Sequence, residues 1–258
     1  MAQVAADISD LASIIQWLDG RGRLVRVRSE VDPAHQLAGI AAKFERGPRA
    51  VLFERVRGSA FPVFTGLYWS RELLGELFGK PVLSLPQYVA ECIRDWQVNP
   101  VAPVLVRNGP VREVTEDAVD LSILPVPTHA ELDGGPYFDA GVVITKDPET
   151  GIRNTSIQRF QVVGKDRLAI NIDAGRHLEL CLAKAAARSQ TLPFTLNIGI
   201  GPGLHFAAAT PAEAAPFGTD ELGIASRFHG RPLELVGSSL THVEMVADAM
   251  FALESEIM

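Results

Sequence analysis

The chain has 258 residues, of which 47% are hydrophobic, and a formal net charge of −7 at pH 7. This length allows one large domain or two modest ones with a sizeable core. The negative charge argues against general electrostatic attraction to nucleic acid or to an acidic membrane surface.

The N-terminus carries acids where a signal peptide would carry lysines, and no apolar run approaches the ~18 residues of a membrane span. Cys92 and Cys181 lie far apart in apolar helical patterns. This favours two buried thiols in a reducing compartment over a disulfide or a metal pair. We therefore expect a soluble, cytoplasmic protein with no nucleic-acid or membrane partner.

Residues 1–100 mix helical and strand patterns and predict an N-terminal α/β domain. Capping residues and glycines mark several helix ends, as at Asp10, Ser70 and Gly79. The predicted helices are 10–18, 35–46, 70–79 and 84–97, and the predicted strands are 23–31, 50–56 and 61–66.

At Asn99-Pro100 the mixed helix and strand pattern gives way to short strands with many turns, and we place a domain boundary there. Residues 101–258 contain short strands separated by strong turn signals, which favours a small antiparallel sheet or barrel over a doubly wound sheet. The predicted strands are 101–107, 111–115, 140–145, 192–200, 233–239 and 249–257, and the predicted helices are 178–188 and 219–229. The fold class is therefore α+β.

Residues 154–177 predict a hairpin that gathers polar groups at its open end. Asn154, Ser156 and Gln158 share one face of the first strand. A turn at Gly164-Lys165-Asp166 would return the second strand, so that 173–177 lies near Asn154. An amide, an imidazole and a guanidinium would then meet in one place. The alternative is a surface hairpin with ordinary polar decoration.

The segment Gly199 to Gly203, GIGPG, follows a predicted strand and precedes an apolar helical run. A dinucleotide-binding loop needs its third glycine further along the chain and a surrounding βαβ unit. Pro202 also removes one amide donor. The pattern therefore favours a strand-to-helix turn over a nucleotide site.

The metal-ligand residue types of this half show no helical i, i+4 pair and no cysteine cluster, which argues against zinc. An amide oxygen, one imidazole and one carboxylate would suit Mg²⁺ or Mn²⁺. Asn154, His177 and Glu221 could form such a set. A helix-capping glutamate and a core histidine are the alternative interpretation.

Several motifs follow one another in a specific order. They are DGGPYFDAGVVITKDPETGIRN, then Asn154-x4-Arg159-x-Gln161, then the Gly175-Arg176-His177 segment, then TPAEAAPFGTDELGIASRFHGRPLELV. In these motifs, and in the N-terminal α/β unit, the chain resembles the UbiD-type decarboxylases over most of its length.

The resemblance implies a split β-barrel domain like that of flavin reductases, spanning 101–258 and binding prenylated FMN. A divalent metal, Mn²⁺ or Mg²⁺, would bridge the cofactor phosphate, with K⁺ as a further candidate cation and a flavin prenyltransferase as cofactor supplier. By motif, Asn154, His177 and Glu221 match the metal ligands and Arg159 matches the catalytic arginine. The matched cofactor contacts are Asn154, Ile157, Gln158, Arg159, Asn171, Ile172, Asp173, Arg176 and His177.

The sequence departs from the family pattern near its C-terminus. The family's acidic partners of the arginine lie in a Pro-Glu-Gly-Pro-aromatic-Gly-acid segment, and this chain stops at Met258 before such a segment. Met250 stands where relatives usually carry Glu, and Ser255 where they carry Gly. We expect the C-terminal third of the usual fold to be absent, and hence a homo-oligomer or a heteromeric assembly.

The expected function is decarboxylation of a small aromatic or α,β-unsaturated acid with prenylated FMN and a divalent metal. One alternative is a non-catalytic cofactor-binding or structural subunit that needs a partner chain for the acid and base residues. A plain FMN-dependent flavin reductase is a third interpretation, and it would need no metal.

Overall fold

The structure is a computed structural model that describes residues 7–258. The first six residues, on which part of the signal-peptide argument rests, lie outside this range. Within it the chain forms seven α-helices: α1 (Leu11–Gly20), α2 (Gln36–Ala41), α3 (Arg71–Phe78), α4 (Leu85–Val98), α5 (His177–Ala186), α6 (Pro202–Ala208) and α7 (Leu222–His229).

Thirteen short strands accompany these helices in residues 7–258, and the predicted α+β class is confirmed. They are β1 (Leu24–Val27), β2 (Ala50–Phe53), β3 (Val63–Thr65), β4 (Val104–Leu105), β5 (Tyr137–Phe138), β6 (Val142–Lys146), β7 (Arg153–Ile157), β8 (Phe160–Val162), β9 (Leu168–Ile170), β10 (Leu192–Ile198), β11 (Glu234–Val236), β12 (Met245–Val246) and β13 (Phe251–Ile257).

Local sequence signals place the early helices correctly. The Asp10 side chain accepts hydrogen bonds from the amides of Ala12 and Ser13 at the start of α1. Ser70 caps α3 in the same way, and Gly79 ends α3 in the left-handed conformation that glycine adopts easily. The first strand and the second helix are shorter than predicted, since β1 ends at Val27 and α2 at Ala41.

The strands form four small sheets, and none of them closes into a barrel within residues 7–258. The N-terminal sheet has the order β1-β2-β3. The largest sheet is antiparallel, with the order β13-β10-β6-β7. The two remaining sheets are β12-β11-β4 and β5-β8-β9.

The predicted single hairpin over 154–177 is wrong in its first strand. Asn154 pairs with Thr145 of β6, so β7 belongs to the largest sheet. Phe160 pairs with Ile170, so only β8 and β9 form the hairpin around the predicted turn. The chain changes sheets between Ile157 and Phe160. This change leaves Gln158 and Arg159 outside both strands, where their side chains can serve a site.

The predicted strand 111–115 is also wrong. A short 3₁₀ turn occupies Pro110–Arg112 instead. Proline has no amide to give to a strand ladder, and a β-carbon on Gly109 would lie 2.8 Å from the Ala247 side chain. The close approach of Gly109 to Ala247 therefore favours a turn where the alternating residues predicted a strand.

The two halves of the chain share one hydrophobic core. Its buried members include Ile14, Leu73 and Trp96 from the first hundred residues, and Ile144 and Phe228 from the remainder. A second cluster lies below β8 and α5, where the rings of Phe160 and Phe194 stack with centroids 5.4 Å apart. Both cysteines are buried free thiols, as predicted.

The glycine-rich turn after β10 is a packed strand-to-helix turn, as the sequence favoured. Gly201 is buried, and a β-carbon on it would lie 1.9 Å from the carbonyl oxygen of Ile8. We expect Gly201→Ala to lower the free energy of unfolding by about 1–3 kcal/mol, because the backbone of one segment must move. Urea unfolding measures this loss. Gly39→Ala in α2, where a β-carbon meets no atom within 4 Å, should cost nothing, and equal losses in both variants would contradict the packing argument.

Candidate functional site

Three elements bring Asn154, His177 and Glu221 together. Asn154 lies in β7, His177 is the first residue of α5, and Glu221 immediately precedes α7. The Asn154 Nδ2 atom lies 3.2 Å from Glu221 Oε1 and 3.4 Å from His177 Nδ1. His177 Nδ1 is 3.6 Å from Glu221 Oε1. The predicted amide, imidazole and carboxylate thus share one buried spot.

Ion pairs beside these residues hold their backbones in place. Arg153 precedes Asn154 and bonds to Asp220 Oδ2 at 2.7 Å and to Glu244 Oε2 at 3.0 Å. Asp220 precedes Glu221 and also accepts from the Leu222 amide at 3.1 Å. One guanidinium therefore links the strand that carries Asn154 to the start of the helix behind Glu221.

Burial shifts the pKa values of two residues in this cluster, Glu221 and His177. Glu221 is 3% exposed, and burial raises its pKa to about 8, although bonds from Thr155 and Asn154 oppose the rise. Burial, followed by the charge of Arg176, lowers the pKa of His177. A cation bound beside this buried carboxyl and imidazole would offset the cost of burial.

The side-chain oxygen of Asn154 decides whether a metal fits. Asn154 is 5% exposed, and its Oδ1 atom has no hydrogen-bond partner. Buried polar atoms are normally paired, so an orphan amide oxygen indicates a missing ligand. No group of three or more His, Cys, Asp or Glu side chains in residues 7–258 could hold a metal. A cation here needs the asparagine oxygen, and because Nδ2 is the atom that faces His177 and Glu221, the Asn154 amide would turn over to present it. The oxygen, His177 Nδ1 and the Glu221 carboxylate then make a set that suits a hard divalent ion.

A cleft of about 1360 Å³ opens in front of this cluster, and we call it the polar cleft. Nine of the ten predicted site residues line it: Asn154, Ile157, Gln158, Arg159, Asn171, Asp173, Arg176, His177 and Glu221. Ile172 does not; its side chain packs against the second hydrophobic cluster. Alternation along the chain after β9 explains this difference, because Asn171 and Asp173 face one side and Ile172 the other.

Among the residues of the polar cleft that were missed in the sequence is the polar pair His129 and Asp139. His129 Nδ1 lies 3.3 Å from Asp139 Oδ2, and both residues line the cleft. Burial raises the pKa of Asp139, while His129 and Arg159 act in the opposite direction. Asp139 directly follows β5, and a carboxyl at a strand end was the signal available. His129 stands in a Pro-rich segment without periodicity and gave no signal.

Two family models match the chain, one on each side of residue 100. Residues 15–93 match the model of the 3-octaprenyl-4-hydroxybenzoate carboxy-lyase N-terminal domain, and residues 104–258 match that of its Rift-related domain. The chain belongs to the UbiD family. An uncharacterized protein in the cooM 5' region of Rhodospirillum rubrum is 70% identical to this UbiD-family chain over 97% of its length and 54% of the relative.

Relatives with a stated activity are more distant. The anhydromevalonate phosphate decarboxylase of Methanosarcina mazei is 34% identical, over 90% of this UbiD-family chain and 52% of the enzyme. An evolved dimeric form of the UbiD-class enzyme HmfF from Pelotomaculum thermopropionicum, solved with prFMN, has a TM-score of 0.88 and 39% identity, over 96% of this chain and 57% of that one. The chain spans about half the length of the relatives it matches.

Within residues 7–258, no helix combines the length and the apolar character that crossing a bilayer requires.

Proposed function

We propose that this UbiD-family chain carries the prenylated-FMN and metal site of a decarboxylase that acts on a small aromatic or α,β-unsaturated acid. The observation that carries the proposal is the unpartnered Asn154 oxygen, buried beside His177 and Glu221 at the end of the polar cleft. Family membership and a neighbour solved with prFMN support the choice of cofactor.

In this proposal Asn154, His177 and Glu221 hold Mn²⁺ or Mg²⁺, with K⁺ as a further candidate cation. The metal would offset the charge of the cofactor phosphate in a buried place. Asn171, Asp173 and Arg176 surround the neighbouring part of the polar cleft and would bind the cofactor's polar groups. Ile172, which packs in the core, would support the strand end that presents them.

The segment between β7 and β8 would serve the reacting end of the substrate. Ile157, Gln158 and Arg159 line the polar cleft where the chain changes sheets. The Arg159 guanidinium is exposed to the cleft and would orient the substrate carboxylate through two parallel hydrogen bonds. Prenylated FMN, when bound, supplies a sink for the electron pair that CO₂ leaves behind. Asp139, near Arg159, is a carboxyl whose raised pKa suits it to holding a proton.

The wider assignments belong to the same proposal. Residues 101–258 would form the split-barrel domain that binds the cofactor, and residues 1–100 an N-terminal α/β domain that packs on it through the shared core, as the two family matches suggest. A flavin prenyltransferase would supply the cofactor in the cytoplasm, and the chain would assemble as a homo-oligomer or with a partner subunit. The second candidate function is a cofactor-binding or structural subunit without chemistry of its own, which would carry the predicted cofactor contacts and need a partner chain for the acid and base residues.

The absorption spectrum and intact mass of the bound cofactor test the proposal. We expect the full chain, co-expressed with a flavin prenyltransferase, to retain prenylated FMN and a divalent metal. Asn154→Ala should lose most of both, because the amide oxygen cannot be replaced by a methyl group. Equal retention in parent and variant would contradict the metal assignment, and absence from both would contradict the cofactor site itself.

A further inference from the structure

A second cavity, of about 390 Å³, adjoins the polar cleft, and we call it the apolar pocket. Segments 61–68, 124–127, 198–200 and 250–251 supply most of its walls. His129, Tyr137 and Asp139 line both cavities, so the two meet at these three side chains. Its size and mainly hydrophobic lining are those of a small-molecule site, in which a few polar groups set specificity.

Two consecutive hydrogen bonds in the apolar pocket have a fixed donor-to-acceptor direction. His205 Nε2 lies 2.8 Å from the carbonyl oxygen of Ala140, and its Nδ1 lies 2.6 Å from the Tyr68 hydroxyl. A carbonyl oxygen can only accept, so Nε2 carries the ring proton. Burial lowers the pKa of His205 and favours the neutral ring. Nδ1 is then a bare acceptor, and the Tyr68 hydroxyl donates to it.

This direction determines what Tyr68 can offer to a ligand. The only hydroxyl proton of Tyr68 is committed to His205, so toward the pocket the phenol oxygen can only accept. The Tyr68 side chain lines the pocket and its hydroxyl lies away from bulk water, so a ligand that fills the pocket is the group placed to meet that oxygen. A group that donates a hydrogen bond would be matched there. A group that only accepts would be desolvated without a partner.

We propose that the apolar pocket binds an apolar ring or chain whose far end carries a hydrogen-bond donor such as a hydroxyl group. Tyr68 is the specificity-determining residue, and His205 is a positioning residue that orients its hydroxyl proton. The inference deepens the proposed function, on which it rests for the identity of the ligand as substrate. The pocket would take the body of the acid whose carboxylate faces Arg159 across the His129–Asp139 boundary.

The test compares 4-ethylphenol, which can donate a hydrogen bond, with its O-methyl ether 4-ethylanisole, which cannot, by NMR titration of the full chain. We expect the parent to bind the phenol about three- to tenfold more tightly, the contribution of one hydrogen bond. Tyr68→Phe should bind both probes equally, because the ring remains and the accepting oxygen is gone. Equal affinities in the parent, or a preference that survives Tyr68→Phe, would overturn the assignment of Tyr68.

A second pair of variants tests the location of the ligand independently of Tyr68. Ala140 is exposed at the pocket wall, so Ala140→Trp should fill the space and remove binding of both probes. Ala186→Trp places the same side chain on the exposed face of α5, away from both cavities, and should leave binding unchanged. Unchanged binding in Ala140→Trp would show that the probes bind elsewhere, which overturns the proposal.

The same titration separates this inference from the proposed function. Asn154→Ala should keep the preference for the phenol while losing flavin and metal. Loss of the preference in a chain that still retains the cofactor would overturn the pocket assignment and leave the proposed function standing. A preserved preference in a chain that never retains flavin would do the reverse.

Discussion

Replacement of Arg159 by alanine is expected to lower the rate of CO₂ release by roughly 10²- to 10³-fold, the usual effect of losing a group that positions the reacting carboxylate. The flavin should stay bound, because the change does not touch Asn154, His177 or Glu221. The measurement is single-turnover CO₂ release from a panel of aromatic and unsaturated acids, with flavin content determined on the same sample.

Two further arginine variants sharpen this expectation. Arg159→Lys keeps the charge but cannot form two parallel hydrogen bonds, so its rate should fall between those of the parent and the alanine variant. Arg167→Ala removes an exposed arginine from the turn between β8 and β9, outside the polar cleft, and should change nothing. Loss of flavin with unchanged turnover in Arg159→Ala would assign the guanidinium to cofactor binding instead.

The helix ends are the part of the fold that the sequence predicts best. A cap such as Asp10 or Ser70 acts within three residues of itself, so its effect can be seen without knowing the rest of the molecule. The change of sheets after Ile157 could not be predicted in this way. Polar alternation from 154 to 159 is compatible with one strand, and only the pairing of β7 with β6 shows that the strand ends.

The candidate site also contains residues that sequence motifs identify and residues that only the structure reveals. Asn154, His177 and Glu221 are separated by 23 and 44 residues, so their meeting depends on tertiary packing, and motif resemblance rather than spacing selected them from the other polar residues. Asp139 lies within the first family motif but was not singled out there, His129 has no motif to mark it, and only the structure pairs the two and places Asp139 near Arg159. Ile172 was carried over with its neighbours in the chain, although its side chain faces the core.

Replacement of Glu221 by glutamine is expected to separate metal binding from stability. Glutamine loses the negative charge and keeps only one of the two oxygens, of which one accepts from the Thr155 amide and the other from Asn154 Nδ2. Its amide group would therefore face the Asn154 side chain while its oxygen keeps the bond from Thr155. Affinity for Mn²⁺ should fall at least about tenfold, by analogy with the 10- to 100-fold losses seen when groups supporting a metal site are removed. Calorimetric titration with Mn²⁺ measures this loss, and Glu213→Gln, an exposed change on the loop before α7, is the matched control.

In the metal-free protein, Glu221→Gln should raise the free energy of unfolding at alkaline pH, although the same change weakens Mn²⁺ binding. The pKa of Glu221 is about 8 in the folded chain, against an ordinary value of 4.5. Between these values the folded state binds more protons than the unfolded state, so the free energy of unfolding falls as pH rises. From pH 6.5 to 8 we expect the parent to lose about 1–2 kcal/mol from this group. Glu221→Gln should not lose it.

Urea unfolding in the presence of a chelator measures both slopes, and the difference between parent and variant cancels the contributions of groups that do not contact Glu221. A variant that binds Mn²⁺ weakly yet is more stable than the parent at pH 8 would identify Glu221 as a residue kept for its charge at a cost to folding. If Glu221→Gln is instead less stable at every pH, the carboxylate serves the packing of α7. The helix-end interpretation of this residue would then be preferred over the metal site.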